Sequence, residues 1–187
     1  MKSRLPKRFY QRHTLKIAQD LLGKYIVREW RDRKIEGRIV ETEAYIGPDD
    51  KASHAYQGKV TKRNKAVFLS GGHVYIYLVY GMHWQLNIST FLEGVPECVL
   101  IRALEPIDSI KRIASGPGKL CRYLKLNKSF YGEDLANSKR IWIEDRGKCV
   151  QKRDIVRKPR IGIDYAQEWV QKPWRFYIQG NQFVSRF

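Results

Sequence analysis

The chain has 187 residues, with 36 Lys and Arg against 19 Asp and Glu, a formal net charge of +17. That length suits one domain with a sizeable core, and no apolar run approaches the ~18 residues of a membrane helix. A cationic excess spread along the whole chain points to a polyanionic partner, nucleic acid first, while the start Met1-Lys2-Ser3-Arg4-Leu5-Pro6 lacks the apolar stretch of a secretory signal.

Leu15 to Leu22 carries apolar residues at helical spacing and Gly23 stops it, which predicts a helix. Tyr25 to Trp30 and Ile35 to Tyr45 read as strands, split by the charged turn Arg31-Asp32-Arg33-Lys34. Gly47-Pro48-Asp49-Asp50 opens a loop that runs through Asn64. His73 to Val79 and Met82 to Ser89 alternate like the strands of a hairpin around Tyr80-Gly81. Cys98 to Ala103 is a short apolar strand. Ile107 to Ala114 reads as a helix, and Ser115-Gly116-Pro117-Gly118 separates it from another, Lys119 to Leu126. Strands and turns follow Arg140. Hairpin-linked strands with scattered helices predict an α+β domain.

Three cysteines (Cys98, Cys121, Cys149) with no close spacing argue against a disulfide framework or a zinc cluster. The spacing of His13, His54, His73 and His83 fits neither a His-Glu-x-x-His site nor a zinc deaminase.

Within Ile39-Val40-Glu41-Thr42-Glu43-Ala44-Tyr45, strand parity puts Glu41, Glu43 and Tyr45 on one face. Paired carboxylates on one face repel, so they need solvent, a metal or cations nearby. The loop that follows brings His54. At the hairpin tip, Tyr80 and Met82 stand where polar turn residues are usual. Such a tip either packs under another loop or serves as an apolar wedge of the kind inserted into a DNA minor groove. Arg102 ends an apolar strand, with Glu105 as a local partner or Glu43 as one across the sheet. Ser115-Gly116-Pro117-Gly118-Lys119 suits a phosphate or a plain helix lead-in.

Several blocks taken in order carry a resemblance. They are Gly37 to Tyr45, Tyr75-Ile76-Tyr77 with Tyr80-Gly81-Met82, Leu86-Asn87-Ile88-Ser89, Val99 to Pro106, Ser115-Gly116-Pro117 with Lys119-Leu120-Cys121, and Lys172-Pro173 with Arg175-Phe176-Tyr177. From Leu15 to Phe176 the chain resembles the alkyladenine (3-methyladenine) DNA glycosylases. Lys62 and Val67 depart from it, standing where members often carry Pro and Met.

The resemblance implies a single α+β domain over residues 1–187: a curved antiparallel sheet, surrounding helices and a protruding hairpin, with residues 1–12 as a flexible or loosely packed arm. Glu43 would be the general base and Arg102 would help hold the nucleophilic water, near backbone groups of Ile161-Gly162-Ile163. Tyr45, His54 and Tyr77 would wall the base pocket, with Asn87 at its floor rejecting guanine. Tyr80 would enter the minor groove of double-stranded DNA. Met82, His83, Thr61, Arg63, Tyr75, Lys119 and Lys128 would contact DNA. The implied enzyme is a monofunctional hydrolase that flips alkylated or deaminated purines, needs no metal or cofactor, has no lyase step and leaves an abasic site. It would act as a monomer in a bacterial cytoplasm, with the nucleoid.

Two other readings stand beside this one. Glu41, Glu43, Asp49 and Asp50 could form the acidic cluster of a metal-dependent nuclease. Charge and exposed aromatics alone could make a non-catalytic DNA-binding module.

Overall fold

One long strand organises the molecule. β3 (Arg33–Ile46) runs through a curved, nine-stranded antiparallel sheet in the computed structural model, which describes residues 2–109, 111 and 113–186. Along one edge β3 pairs first with β2 (Tyr25–Trp30) and then with β9 (Arg175–Ile178). Along the other it pairs with β6 (Glu97–Pro106), which leads on to β5 (His83–Thr90) and β4 (Val74–Val79). Beyond β2 lie β7 (Ile141–Asp145) and β1 (Ser3–Arg4), and β8 (Ile155–Lys158) pairs with β9. The fold is α+β, as the alternation and turn signals predicted.

The two faces of β3 have different tasks. Thr42 and Ala44 face the core: the Thr42 hydroxyl donates to the Ala18 carbonyl in α2 (Thr14–Asp20), at 2.8 Å. Ile17, Ala18 and Leu21 fill that core, and Gly23, at φ 83°, turns the chain out of the helix. Glu41, Glu43 and Tyr45 face the other way, as parity requires. The β2–β3 turn is tighter than expected: Arg31 and Asp32 both take positive φ, which matches strand twist, and β3 begins at Arg33.

Two expectations are corrected. Among the described residues, 107–114 form bends and a turn rather than a helix; positions 110 and 112 lie outside the described residues. Ile107 and Ile113 are exposed, and Ala114 joins the core. The segment instead returns to the sheet, where the Leu104 amide donates to the Ala114 carbonyl and Ser115 bridges Ala103. The next helix, α3 (Pro117–Tyr123), starts ahead of Lys119 because Pro suits a first helical turn.

From Ser3 on, the N-terminal residues are packed against the rest of the fold. β1 pairs with β7, and α1 (Lys7–Tyr10) follows it. Leu5 and Tyr10 are buried, and a Cβ on Gly71 would stand 2.1 Å from the Tyr10 carbonyl oxygen. That close approach explains the glycine there.

Candidate active site

Arg102 joins two buried carboxylates. Its Nε lies 3.2 Å from Glu41 Oε1 and its Nη1 lies 3.2 Å from Glu43 Oε1. The alternative partner, Glu105, is taken by Arg38 and Asn181. The β3–β6 register shifts on both sides of Glu41, and Val40 and Arg102 drop out of it. Burial alone would lower the Arg102 pKa, but Glu43 and Glu41 outweigh it and raise it, so the group stays cationic.

The two carboxylates differ in what surrounds them. Glu41 is sealed: Oε1 also accepts from Arg175 Nη1 at 3.0 Å, and Oε2 accepts from the Ser185 amide at 2.8 Å. Glu43 Oε1 accepts from the Ile161 amide at 2.8 Å, and Oε2 accepts from the Tyr45 hydroxyl at 2.9 Å. A carboxylate has about four lone-pair sites. Tyr45 takes one position on Oε2 and Ile161 one on Oε1, where Arg102 adds an ion pair, so Oε2 keeps an acceptor position.

Arg160 braces this arrangement from behind. It is fully buried, pairs with Asp50, donates to the Ala44 carbonyl and lies against the rings of Tyr45 and Trp174. Tyr45 is held far above its usual pKa, first by burial and then by the Glu43 charge, so its hydroxyl remains a donor.

Tyr45 also lines a narrow cleft with His54, Tyr77, Asn87, Val67 and Cys98. About 20 Å³ of that cleft is open to the centre of a water, room for roughly one molecule. His54 and Tyr77 meet edge to face, with ring centroids 4.6 Å apart. The Tyr75 hydroxyl lies 2.7 Å from His54 Nδ1. Tyr75 was expected to contact DNA, but it is 2% exposed and lines the cleft beside His54 instead. Burial, then nearby Arg63, lowers the His54 pKa, which favours neutral imidazole. Asn87 is buried at the floor, its Oδ1 facing Cys98 Sγ at 3.9 Å. Burial holds Cys98 as a thiol.

The hairpin tip projects beyond the cleft. Tyr80 is 88% exposed and Met82 69% exposed. Tyr80 has φ 51° and Gly81 φ 68°, the pair of positive values a two-residue hairpin turn requires, although a bulky residue there is uncommon. β5 begins at His83 rather than Met82, leaving Tyr80, Gly81 and Met82 at the tip. His83 rests on Gly118, where a Cβ would approach its ring to 3.2 Å. Lys119 and Lys128 are exposed on that side. Arg63 donates to the Leu78 carbonyl and lies over Tyr77. Thr61 serves its own loop, since its amide and hydroxyl both donate to Asn64 Oδ1. Asn64 in turn donates to the His54 carbonyl, so it fixes the loop path beside Lys62.

The suggested acidic cluster does not assemble. Asp50 belongs to Arg160, Glu41 to Arg102 and Arg175, and Asp49 is exposed. Among the described residues, no three His, Cys, Asp or Glu side chains form a group able to hold a metal ion. Sequence reasoning gave no site role to Arg160, Arg175 or Cys98, and offered Asp50 only as part of an acidic cluster. The only local signal for Arg160 was its place just before Ile161-Gly162-Ile163.

A family model described as methylpurine-DNA glycosylase matches residues 8–182. A protein of Methanocella arvoryzae, named "Putative 3-methyladenine DNA glycosylase", is 46% identical over 195 residues, which cover 97% of this chain and 96% of that protein. Proteins of the same name from Alkaliphilus oremlandii and Natranaerobius thermophilus are 43% and 42% identical, the first covering 98% of this chain and 99% of its own length, the second 97% and 98%.

Proposed function

Since the chain belongs to the methylpurine-DNA glycosylase family, whose members act in DNA base-excision repair, we propose that it flips a damaged purine from duplex DNA and hydrolyses its N-glycosidic bond with water activated by Glu43. The observation that carries this reading is a buried Glu43 held by the Tyr45 hydroxyl, the Ile161 amide and the Arg102 charge, with an acceptor position left on Oε2. A water donating to that position gives its proton to the carboxylate as its oxygen attacks the anomeric carbon, and the bonding pair leaves with the base. General-base assistance is typically worth ~10²–10⁴-fold. The carboxylate also offsets the positive charge that develops on the sugar.

The cleft supplies recognition. Flipping costs a few kcal/mol, less for a damaged base, and stacking on aromatic rings returns ~1–3 kcal/mol. Tyr45 and Tyr77 with His54 are suited to that task, and to a cationic alkylated purine through cation–π attraction. The cleft must widen, because a purine is many times larger than the water it now fits. Donation from Tyr75 to His54 Nδ1 leaves Nε2–H as a donor to the base. Asn87 closes the floor against guanine's exocyclic amino group. Tyr80 fills the gap in the minor groove, with Met82, His83, Arg63, Lys119 and Lys128 at the duplex. No lysine lines the cleft, which supports hydrolysis without a lyase step. The protein would work as a monomer in the cytoplasm, on 3-methyladenine, 7-methylguanine, hypoxanthine or ethenoadenine.

The test is a set of duplexes, each with one lesion, incubated in EDTA. Release of the base with an intact, alkali-labile strand is expected. Strand cleavage without alkali, or no release from any lesion, would overturn the reading.

A further inference from the structure

The hairpin has two faces, and the cleft uses one. Tyr75, Tyr77 and Asn87 face the cleft, while Leu78 and Trp84, paired across β4 and β5, face away. Two adjoining grooves meet at Trp84, one confined to that reverse face and one reaching round to Tyr77. One, of about 360 Å³, runs between Met82, Trp84 and the end of α3, where Arg122 and Lys125 project. The other, of about 450 Å³, runs past Leu78 and Tyr131 and carries Lys62, Arg63 and Lys128. Among the described residues, no acidic side chain lines either groove. Lys125, which lies over the Trp30 ring, and Arg122 are both exposed.

We infer that the groove beside α3 binds the undamaged strand of the duplex, with Arg122 and Lys125 on its phosphates and Trp84 and Met82 against its sugars or bases. The inference rests on the base-flipping reading above. A nucleotide that leaves the helix for the cleft passes the Tyr77 face of the wedge. Its former partner stays in the duplex, so the opposite face of the wedge looks at the other strand. A polyanion matches a groove that combines apolar walls with cations. Continuity with the wedge, through Met82, selects the strand already held there.

The experiment compares one lesion in duplex and in single-stranded DNA, using wild type and the Arg122→Gln/Lys125→Gln protein. Removing two phosphate contacts should lower the duplex salt slope, d log K/d log[salt], by about 1.8. The duplex preference, Kd of the single strand over Kd of the duplex, should fall about tenfold. Arg122→Glu/Lys125→Glu should lower it further, and both variants change exposed side chains, so thermal melting checks their folding. An equal loss on both substrates would overturn the inference, since the groove would then hold the lesion strand. No loss on either would overturn it too. A wild-type protein that releases no base would instead overturn the reading on which this one rests.

Discussion

The Arg160 guanidinium grips the Asp50 carboxylate through two hydrogen bonds, 2.5 and 2.8 Å long, with both side chains fully buried. Asp50 also accepts from the Ile46 and Ala52 amides. The pair thus ties the loop after β3 to the segment that carries the Ile161 amide. Breaking a buried pair on one side leaves an uncompensated charge, typically worth ~3–5 kcal/mol. Asp50→Ala should lose about that much stability in urea unfolding. Base release by the folded fraction should also fall, because Tyr45 and Ile161 lose their brace. Wild-type stability in that variant would show that the pair carries no such weight.

Glu41 and Glu43 should separate by experiment. Glu41 is engaged by Arg102, Arg175 and the Ser185 amide, whereas Glu43 bonds to the cleft residue Tyr45. Glu41→Gln leaves two buried cations short of their partner, so it should lower the melting temperature. Single-turnover base release by the folded protein should stay within about tenfold of wild type, well inside the ~10²–10⁴-fold range of a lost general base. A loss as large as that of Glu43→Gln would give Glu41 a part in the chemistry.

Much of this geometry was legible in the sequence. Alternation marked β2, β3 and the β4–β5 hairpin, because one face of each is packed and a period of two survives in the residues. Parity correctly kept Glu41, Glu43 and Tyr45 on one face despite the register shifts around Glu41. Choosing Glu43 over Glu41 needed the resemblance; the fold supplies an independent reason, since Glu43 bonds to the cleft residue Tyr45 and Glu41 to the C-terminal segment. Residues 107–114 misled because apolar residues at helical spacing say nothing about whether a surface exists to receive them. Arg160 was invisible because its partner lies 110 positions away, and such a pair leaves no periodic trace.

The Tyr80 backbone predicts a trade of function against stability. A left-handed conformation costs a non-glycine residue roughly 1–2 kcal/mol, and Asn tolerates it better. Tyr80 is almost fully exposed, so replacing it forfeits little burial. Tyr80→Asn should raise unfolding stability by about 1 kcal/mol while weakening lesion-specific binding. Unchanged lesion affinity would remove the wedge role.

His54 sets the pH dependence of the pocket. Its pKa is lowered from the ordinary 6.5 by burial and by Arg63. Neutral His54 therefore contributes stability above about pH 6.5, and the contribution is lost as pH falls toward the folded-state value. Binding of a cationic lesion should stay level from neutral pH down through the ordinary imidazole range, then weaken once His54 gains a charge that repels the base. NMR titration of the His54 ring should place its midpoint below 6.5; a midpoint above that would contradict the assignment of a neutral donor.

The most direct measurement is single-turnover base release by Glu43→Gln on a duplex carrying one lesion, together with its affinity for that duplex. Gln keeps the shape of Glu43 and still accepts from Tyr45 or Ile161, but it cannot take a proton from water. Lesion binding within a few-fold of wild type, with base release reduced by about 10²-fold or more, is the predicted result. Base release at the wild-type rate would contradict the role of Glu43 as the base.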